Sequence, residues 1–291
     1  MLIQQDIHPP VPSHQAGVQT LTGAGGGVIA RQPTLTLQVG RELDPGLTRR
    51  QEPNEDTLSV MRGVISTPPS KPFVLLLVAD GMGGQADGQE ASRLAVQFLS
   101  TYVYDSLRLL QATPETFLPL LRAGVQEANR ALYQRNQEQQ SDMGTTMTAT
   151  LVVDATAYVA HVGDSRCYLY REPVGLSQLT QDHSLVAALA AAGIIRPEDI
   201  YTHPRRNLIY RYLGEKSNVV VDTSTVPLAA GDMLLLCSDG LWEMVRDPQI
   251  AAILASPMPD PSHTADALIQ AALAGGGQDN ISALVARVSS V

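Results

Sequence analysis

Apolar positions along the chain fall into short blocks whose spacing switches between two residues and three to four. From about residue 35, alternating or continuous apolar runs predict strands at 35–39, 57–62, 73–79, 147–153, 156–162, 166–171, 219–222, 232–237 and 281–288. Gly163-Asp164, between two of them, reads as a hairpin turn. A helical rhythm runs through Ala91, Leu94, Ala95, Phe98, Leu99 and Tyr102. It returns in Leu118, Leu121, Val125, Ala128 and Leu132, where Pro119 is expected to delay the start. Ser262 reads as the cap of a helix with Ala265, Leu268, Ile269 and Ala272 inward, stopped by Gly275-Gly276-Gly277. Asp247-Pro248 opens a short helix over 247–255. Strands with helices inserted as two pairs predict an α+β layered fold, two antiparallel sheets each covered by helices.

Residues 1–35 lack this periodicity and carry His8-Pro9-Pro10 and a glycine cluster at 23–27, so they read as an irregular N-terminal arm or extension. No βαβ pattern follows the glycines, which argues against a dinucleotide loop. Residues 36–291 show no repeat and no second linker, and read as a single domain. Of 291 residues 44% are apolar and 17% charged, a globular balance. The longest apolar runs, 73–79 and 185–195, are too short to span a bilayer, and the first residues lack a basic and apolar leader. A cytoplasmic protein is expected.

Charge narrows the chemistry. The formal net charge is −9 with no basic run, so neither nucleic acid nor membrane is an expected partner. Lys71 and Lys216 are the only lysines, and neither stands in a phosphate-loop or kinase-strand motif. Cys167 and Cys237 are too few for a disulfide scaffold or a thiolate zinc site. Pro173 and Glu243 stand six residues after them where a cysteine phosphatase would need arginine, so core packing is their reading.

Acidic residues then recur at the ends of the most apolar strands. Residues 75–79 run into Asp80-Gly81, 158–162 into Gly163-Asp164, and 233–238 into Asp239-Gly240. Asp279-Asn280 precedes the last strand and Asn54-Glu55-Asp56 an early one. Any one of these could be an ordinary turn; five at the hydrophobic strands point to convergence. Carboxylates some ~4 Å apart repel by about 1 kcal/mol in water and about 4 kcal/mol at an effective dielectric of 20, so such a cluster needs cations or raised pKa values. Oxygen-only ligands select hard divalent ions such as Mg²⁺ or Mn²⁺, and two of these bridged by one carboxylate would activate a water and clamp a phosphoryl group.

Six motifs stand in order: Asn54-Glu55-Asp56, Val78 to Gly84, Gly144-Thr145-Thr146, Gly163-Asp164-Ser165-Arg166, Ser238 to Trp242 and Gln278 to Ser282. Together they resemble the metal-dependent PPM family, the type 2C serine/threonine protein phosphatases in their bacterial form, over about residues 40–288. The resemblance implies a four-layer αββα sandwich, with two mainly antiparallel sheets flanked by helix pairs. It implies hydrolysis of phosphoserine and phosphothreonine on proteins by direct attack of a water bridging two Mg²⁺ or Mn²⁺ ions. Asp80 would bridge the ions, the Gly81 carbonyl would ligate one, and Asp239 and Asp279 would hold the other side. Glu55 and Asp56 would act through coordinated waters, Asp164 would share a third, weaker site with Asp239, and Asn280 would orient Asp279.

The resemblance also asks for an arginine on phosphate, a role suited to its forked donors. Spacing leaves Arg49 and Arg50 open, with a slight preference for Arg50. Met82 stands where eukaryotic members carry the histidine general acid, which leaves water for that task; His161 and His183 read as structural. Residues 183–218 fit the family's flap, whose Arg205 or Arg206 would help seat acidic phosphopeptides, and Trp242 reads as a core anchor beneath the site. Implied partners are phosphorylated proteins, opposite a serine/threonine kinase, with the chain a monomer. The alternative is a non-catalytic or weakly catalytic signalling module on the same fold; a small-phosphoester hydrolase shares the site.

Overall fold

Residue parity along each strand decides what lies on its two sides. The computed structural model describes residues 35–65, 70–83, 87–109 and 113–290. These hold β1 (Leu35–Asp44), β2 (Asp56–Ile65), β3 (Lys71–Met82), α1 (Asp87–Leu109), α2 (Pro114–Gln139), β4 (Gly144–Thr145), β5 (Met147–Val153), β6 (Thr156–Val162), β7 (Arg166–Arg171) and β8 (Gly175–Gln178). After them come α3 (Leu185–Ala191), a 3-10 turn (Pro197–Tyr201), β9 (Asp222–Pro227), β10 (Met233–Cys237), α4 (Asp239–Trp242), α5 (Asp247–Ala255), α6 (Pro261–Ala274) and β11 (Ile281–Ser290). One sheet runs β1-β11-β10-β7-β8 and the other β2-β3-β5-β6-β9, with β4 on the end of β3. All pairings are antiparallel.

On β3, Phe73, Leu75, Leu77 and Ala79 pack beneath α1 and α2. The alternate residues Val74, Leu76 and Val78 point between the sheets, against Leu234, Leu236, Leu284 and Ala286. Both faces are therefore buried, which is why this strand reads as a continuous apolar run. On the other sheet Met233, Leu235, Ile281 and Ala283 face outward, onto Trp242, Leu254, Leu268 and Ile269. The product is the expected α+β sandwich of four layers. Leu75, Leu76 and Leu77 are fully buried, and each contributes roughly 1.5–3 kcal/mol.

The structure departs from the sequence pattern in a few places. Gly163-Asp164 is not a hairpin turn, because β6 pairs with β5 and β9 in one sheet while β7 pairs with β10 and β8 in the other. The turn carries the chain across the sandwich. Gly163 has φ +112, and a Cβ there would lie 2.5 Å from Thr146. Helix α2 begins at Pro114 despite Pro119, which sits exposed in the second turn, where the carbonyl it leaves free can meet water. Asp260, not Ser262, caps α6 and accepts from Ser262 N and His263 N. The strand expected at 219–222 starts only at Asp222. Val219 and Val221 are buried but lie outside the ladder. The short β4 and β8 carry too few residues to show a period. Cys167 and Cys237 are buried and unpaired. The described residues fall in one compact unit. The arm expected over 1–35 lies outside the described residues, except for Leu35, which opens β1.

Candidate metal centre

At one end of the sandwich the inward-facing rows turn polar. Asp80 continues the row of Val74, Leu76 and Val78, and Asp56 begins the row of Leu58 and Val60. Ser238 extends the row of Leu234 and Leu236, and Ser282 precedes Leu284 and Ala286. Antiparallel register sets Asp56 opposite Asp80. Across the gap, Ser238 Oγ and Ser282 Oγ both donate to Asp56 Oδ2, at 2.6 and 2.8 Å. Two hydroxyls from one sheet thus hold a carboxylate of the other.

Backbone ties fix the remaining acids. Asn280 Oδ1 accepts from Glu55 N at 2.8 Å, its Nδ2 donates to Pro45 O at 3.0 Å, and its amide donates to Asp279 Oδ1 at 2.7 Å. One asparagine therefore joins three strand ends. Asp80 N donates to Thr146 Oγ1 and Asp80 O accepts from Thr145 Oγ1. Gly81 N donates to Glu55 O, and a Cβ on Gly81 would meet Gly88 O at 1.9 Å, so only glycine lets α1 approach here. Trp242 is buried and its Nε1 donates to Asp164 O at 3.0 Å, an anchor beneath the site.

These carboxylates do not sit easily together. Burial pushes the Asp80 carboxyl well above its ordinary range, and the charges of Asp56, Asp239, Asp164 and Asp279 add to the shift. Burial raises Asp239 likewise, with Asp164, Asp279 and Glu243 contributing. Asp56 is pushed up to about 7 by burial, against the two serine hydrogen bonds. Asp164 also reaches about 7, through burial and the nearby Asp182. Asp56 Oδ1, Asp164 Oδ1 and Asp239 Oδ1 are buried without any hydrogen-bond partner among the described residues. A buried acceptor left bare is costly. As they stand, no three acids, imidazoles or thiols close tightly on one point among the described residues, as expected of unscreened like charges. Bare, all-oxygen, mutually repelling donors are the chemistry a hard divalent cation satisfies, and the residues fit such ions.

A guanidinium already stands in for positive charge. Arg49 donates to Asp279 Oδ1 and Glu55 Oε2, both at 2.6 Å, and to Glu52 Oε2 at 3.0 Å. Burial works against its charge, but these carboxylates raise its pKa well beyond the ordinary value. The slight preference for Arg50 is not what the structure favours: Arg50 is exposed and makes no side-chain hydrogen bond among the described residues. The reason lies upstream. Leu47 N and Thr48 N both donate to Gly277 O, which pins the turn beside Asp279 and brings the next side chain, Arg49, into the rim.

On the flap, Arg206 Nε donates to Glu243 Oε2 at 3.0 Å and Nη2 to Gln278 Oε1 at 3.3 Å, whereas Arg205 is exposed and unpaired among the described residues. Met82 is half-buried at the end of β3. His161 is buried, with Nδ1 facing Thr148 Oγ1 and Nε2 facing Gly163 O, and burial lowers its pKa to about 3. Sequence reasoning assigned no role to Ser238, Ser282 or Glu243. Extending the two-residue parity past the apolar rows finds both serines, and four-residue spacing after Asp239 on α4 finds Glu243.

Comparison with known proteins agrees with this geometry. The sequence model of the family described as Protein phosphatase 2C matches residues 46–274. The chain is 42% identical over 225 residues to the serine/threonine phosphatase stp of Listeria monocytogenes, covering 77% of this chain and 87% of that one. It is 39% identical over 259 residues to the serine/threonine protein phosphatase PstP of Mycobacterium tuberculosis, covering 88% of this chain and 46% of that longer protein. A solved catalytic domain of PstP in complex with two manganese ions superposes with a TM-score of 0.73 at 36% identity, covering 88% of this chain and all of that one.

Proposed function

This chain belongs to the protein phosphatase 2C family and is a metal-dependent protein phosphatase, and from that premise we propose how its own residues divide the work on phosphoserine and phosphothreonine. Asp80, the Gly81 carbonyl, Asp239 and Asp279 would hold two Mg²⁺ or Mn²⁺ ions, Glu55 and Asp56 would support them through water, and Asp164 would join Asp239 at a third, weaker position. When bound, such ions supply Lewis acidity, lowering the pKa of water and drawing charge from the phosphoryl oxygens. The observation that carries this reading is the trio of buried carboxylate oxygens, on Asp56, Asp164 and Asp239, that no donor among the described residues satisfies.

Arg49 supplies the fixed cation for the phosphoryl group. Its fork is held in place by Glu52, and its two terminal nitrogens point at Glu55 and Asp279, the acids that cations would take over. Ser238 and Ser282 keep Asp56 from turning away, and Asn280 keeps Glu55 and Asp279 in register. Met82 has no proton to give. His183 has both ring nitrogens engaged, as does His161, so the leaving alkoxide takes its proton from water. The substrates are phosphorylated proteins made by a serine/threonine kinase, met by the chain as a cytoplasmic monomer. No helix among the described residues is long and apolar enough to cross a membrane.

Phosphate release from a phosphothreonine peptide tests the proposal, in Mn²⁺ or chelator, for the wild type and Asp239→Asn. Turnover is expected only for the wild type with Mn²⁺. Turnover that survives chelation would overturn the assignment.

A further inference from the structure

The flap leaves the sandwich after Asp182 and returns at Asp222, and both of its ends meet at His183. This side chain is only 2% exposed. His183 grips Gly163 twice: its backbone N donates to Gly163 O at 2.7 Å, and Gly163 N donates to the ring Nδ1 at 2.9 Å. Gly163 is the residue at φ +112 where an added Cβ would meet Thr146, so a turn with no room for a side chain is held through both its N–H and its carbonyl. Asp164, the next residue, has its carbonyl held by Trp242 and its Oδ1 bare.

The other edge of the ring faces the returning chain. With Nδ1 accepting from Gly163 N, the ring Nε2 lies 3.1 Å from Asp222 Oδ2 and 2.8 Å from Arg211 Nη1. Arg211 Nη1 donates to the second oxygen, Asp222 Oδ1, at 2.8 Å, and Tyr210 N donates to His183 O at 2.9 Å. The exit of the flap therefore orients an imidazole whose far side sets the backbone immediately before a candidate cation ligand.

We propose that His183, held by Asp222 and Arg211, is a positioning residue that couples the flap to the Asp164 carboxylate and so tunes the weakest cation position. This rests on the reading of Asp164 as a ligand. Orienting partners one step behind a ligand typically change metal affinity 10–100-fold.

Direct titration of the full chain with Mn²⁺, by calorimetry and by the electron-spin signal of free Mn²⁺, tests it. His183→Ala is expected to weaken the weakest binding step by about 10–100-fold and to leave the tighter steps unchanged. His183→Asn, whose amide oxygen overlays Nδ1, restores most of that affinity by keeping the acceptor for Gly163. Asp222→Ala, at a side chain 44% exposed, gives a smaller shift of the same step and carries the test should His183→Ala not fold. In an Asp164→Asn background both substitutions add nothing. Equal effects in both backgrounds, a uniform loss across all steps, or unchanged isotherms would overturn the proposal. If Asp164→Asn itself left Mn²⁺ binding intact, the reading of Asp164 as a ligand would fall first and the coupling with it.

Discussion

Within the acidic rim Glu55 and Asp279 share the Arg49 guanidinium, whereas Asp56, Asp80, Asp164 and Asp239 have no arginine bonded to them among the described residues and are pushed up by burial and by neighbouring carboxylates. Both sides use the same residue types at the same strand ends, yet the first carries its own counter-charge and the second does not. Repulsion between half-buried carboxylates is several-fold larger than in water. The first side therefore carries its counter-charge within the fold, and the second is the one that cations would complete on the proposed reading. Losing a group from either side should lower activity, but the metal-free fold should respond with opposite signs.

Asp239→Asn breaks the unfinished side and has the largest expected effect. It should lower kcat/KM on a phosphothreonine peptide by about 10³-fold or more, the scale of losing a charge-stabilising group from an active site. In chelator at pH 8 the same variant should melt higher than the wild type, because a buried repelling charge has gone. A relief of about 1 kcal/mol corresponds to about 2–4 °C for a domain of this size. A chelated variant that melts lower would show that the acids of this side are compensated after all.

Arg49→Ala breaks the finished side. Expected kcat/KM falls about 10²-fold, with Mn²⁺ binding retained, since a forked donor to phosphate is lost rather than a ligand. Here the chelated protein should melt lower, because Glu55 is left buried without its cation. Arg50→Ala, at an exposed side chain, should stay within about twofold of the wild type in activity.

The comparison also marks what was legible in the amino-acid order. Positions of the acids were readable because each stands where an apolar run stops, and the layered fold followed from strands such as 73–79 that are apolar on both faces. Which residue neutralises which was hidden. Arg49 and Arg50 are identical neighbours, and only the hydrogen bonds of Leu47 and Thr48 to Gly277, more than 200 residues away in sequence, decide between them. Gly163-Asp164 looks like any hairpin turn locally, and its crossing between sheets depends on strand pairing that no local signal records. Nothing local marks the serines at 238 and 282, because their partner, Asp56, lies in the opposite sheet.

The pH dependence of the metal-free protein sharpens the same contrast. Folding raises the Asp56 and Asp164 carboxyls to about 7, from an ordinary value near 4. Between these values the folded chain binds more protons than the unfolded one, so stability falls as pH rises. The contribution is fully present below about pH 4 and is lost as pH passes 7. Chelated protein should therefore melt several degrees lower at pH 8 than at pH 5.5. Saturating Mn²⁺ displaces those protons, so the rise in melting temperature on adding Mn²⁺ should grow over the same interval. A metal-induced rise independent of pH would remove the unsatisfied carboxylates as its cause.

The smallest effects belong to the flap, where the same division recurs between adjacent residues. Arg206 is spent on Glu243 and Gln278, while Arg205 is exposed and free of side-chain partners among the described residues. Of the two, Arg205 is the one able to meet an acidic phosphopeptide without first leaving an ion pair. Arg205→Ala should raise KM for an acidic phosphopeptide about two- to threefold and leave a small aryl phosphate unaffected, as a single exposed charge contact contributes under about 1 kcal/mol. Arg206→Ala should instead act on both substrates alike, because it frees Glu243, whose carboxyl burial already raises, beside Asp239 and Asp279. Steady-state kinetics with the two substrates side by side separate these outcomes. If both variants left phosphopeptide kcat/KM unchanged, neither arginine would have a part in seating the peptide, and the flap's contribution would reduce to the clasp on Glu243.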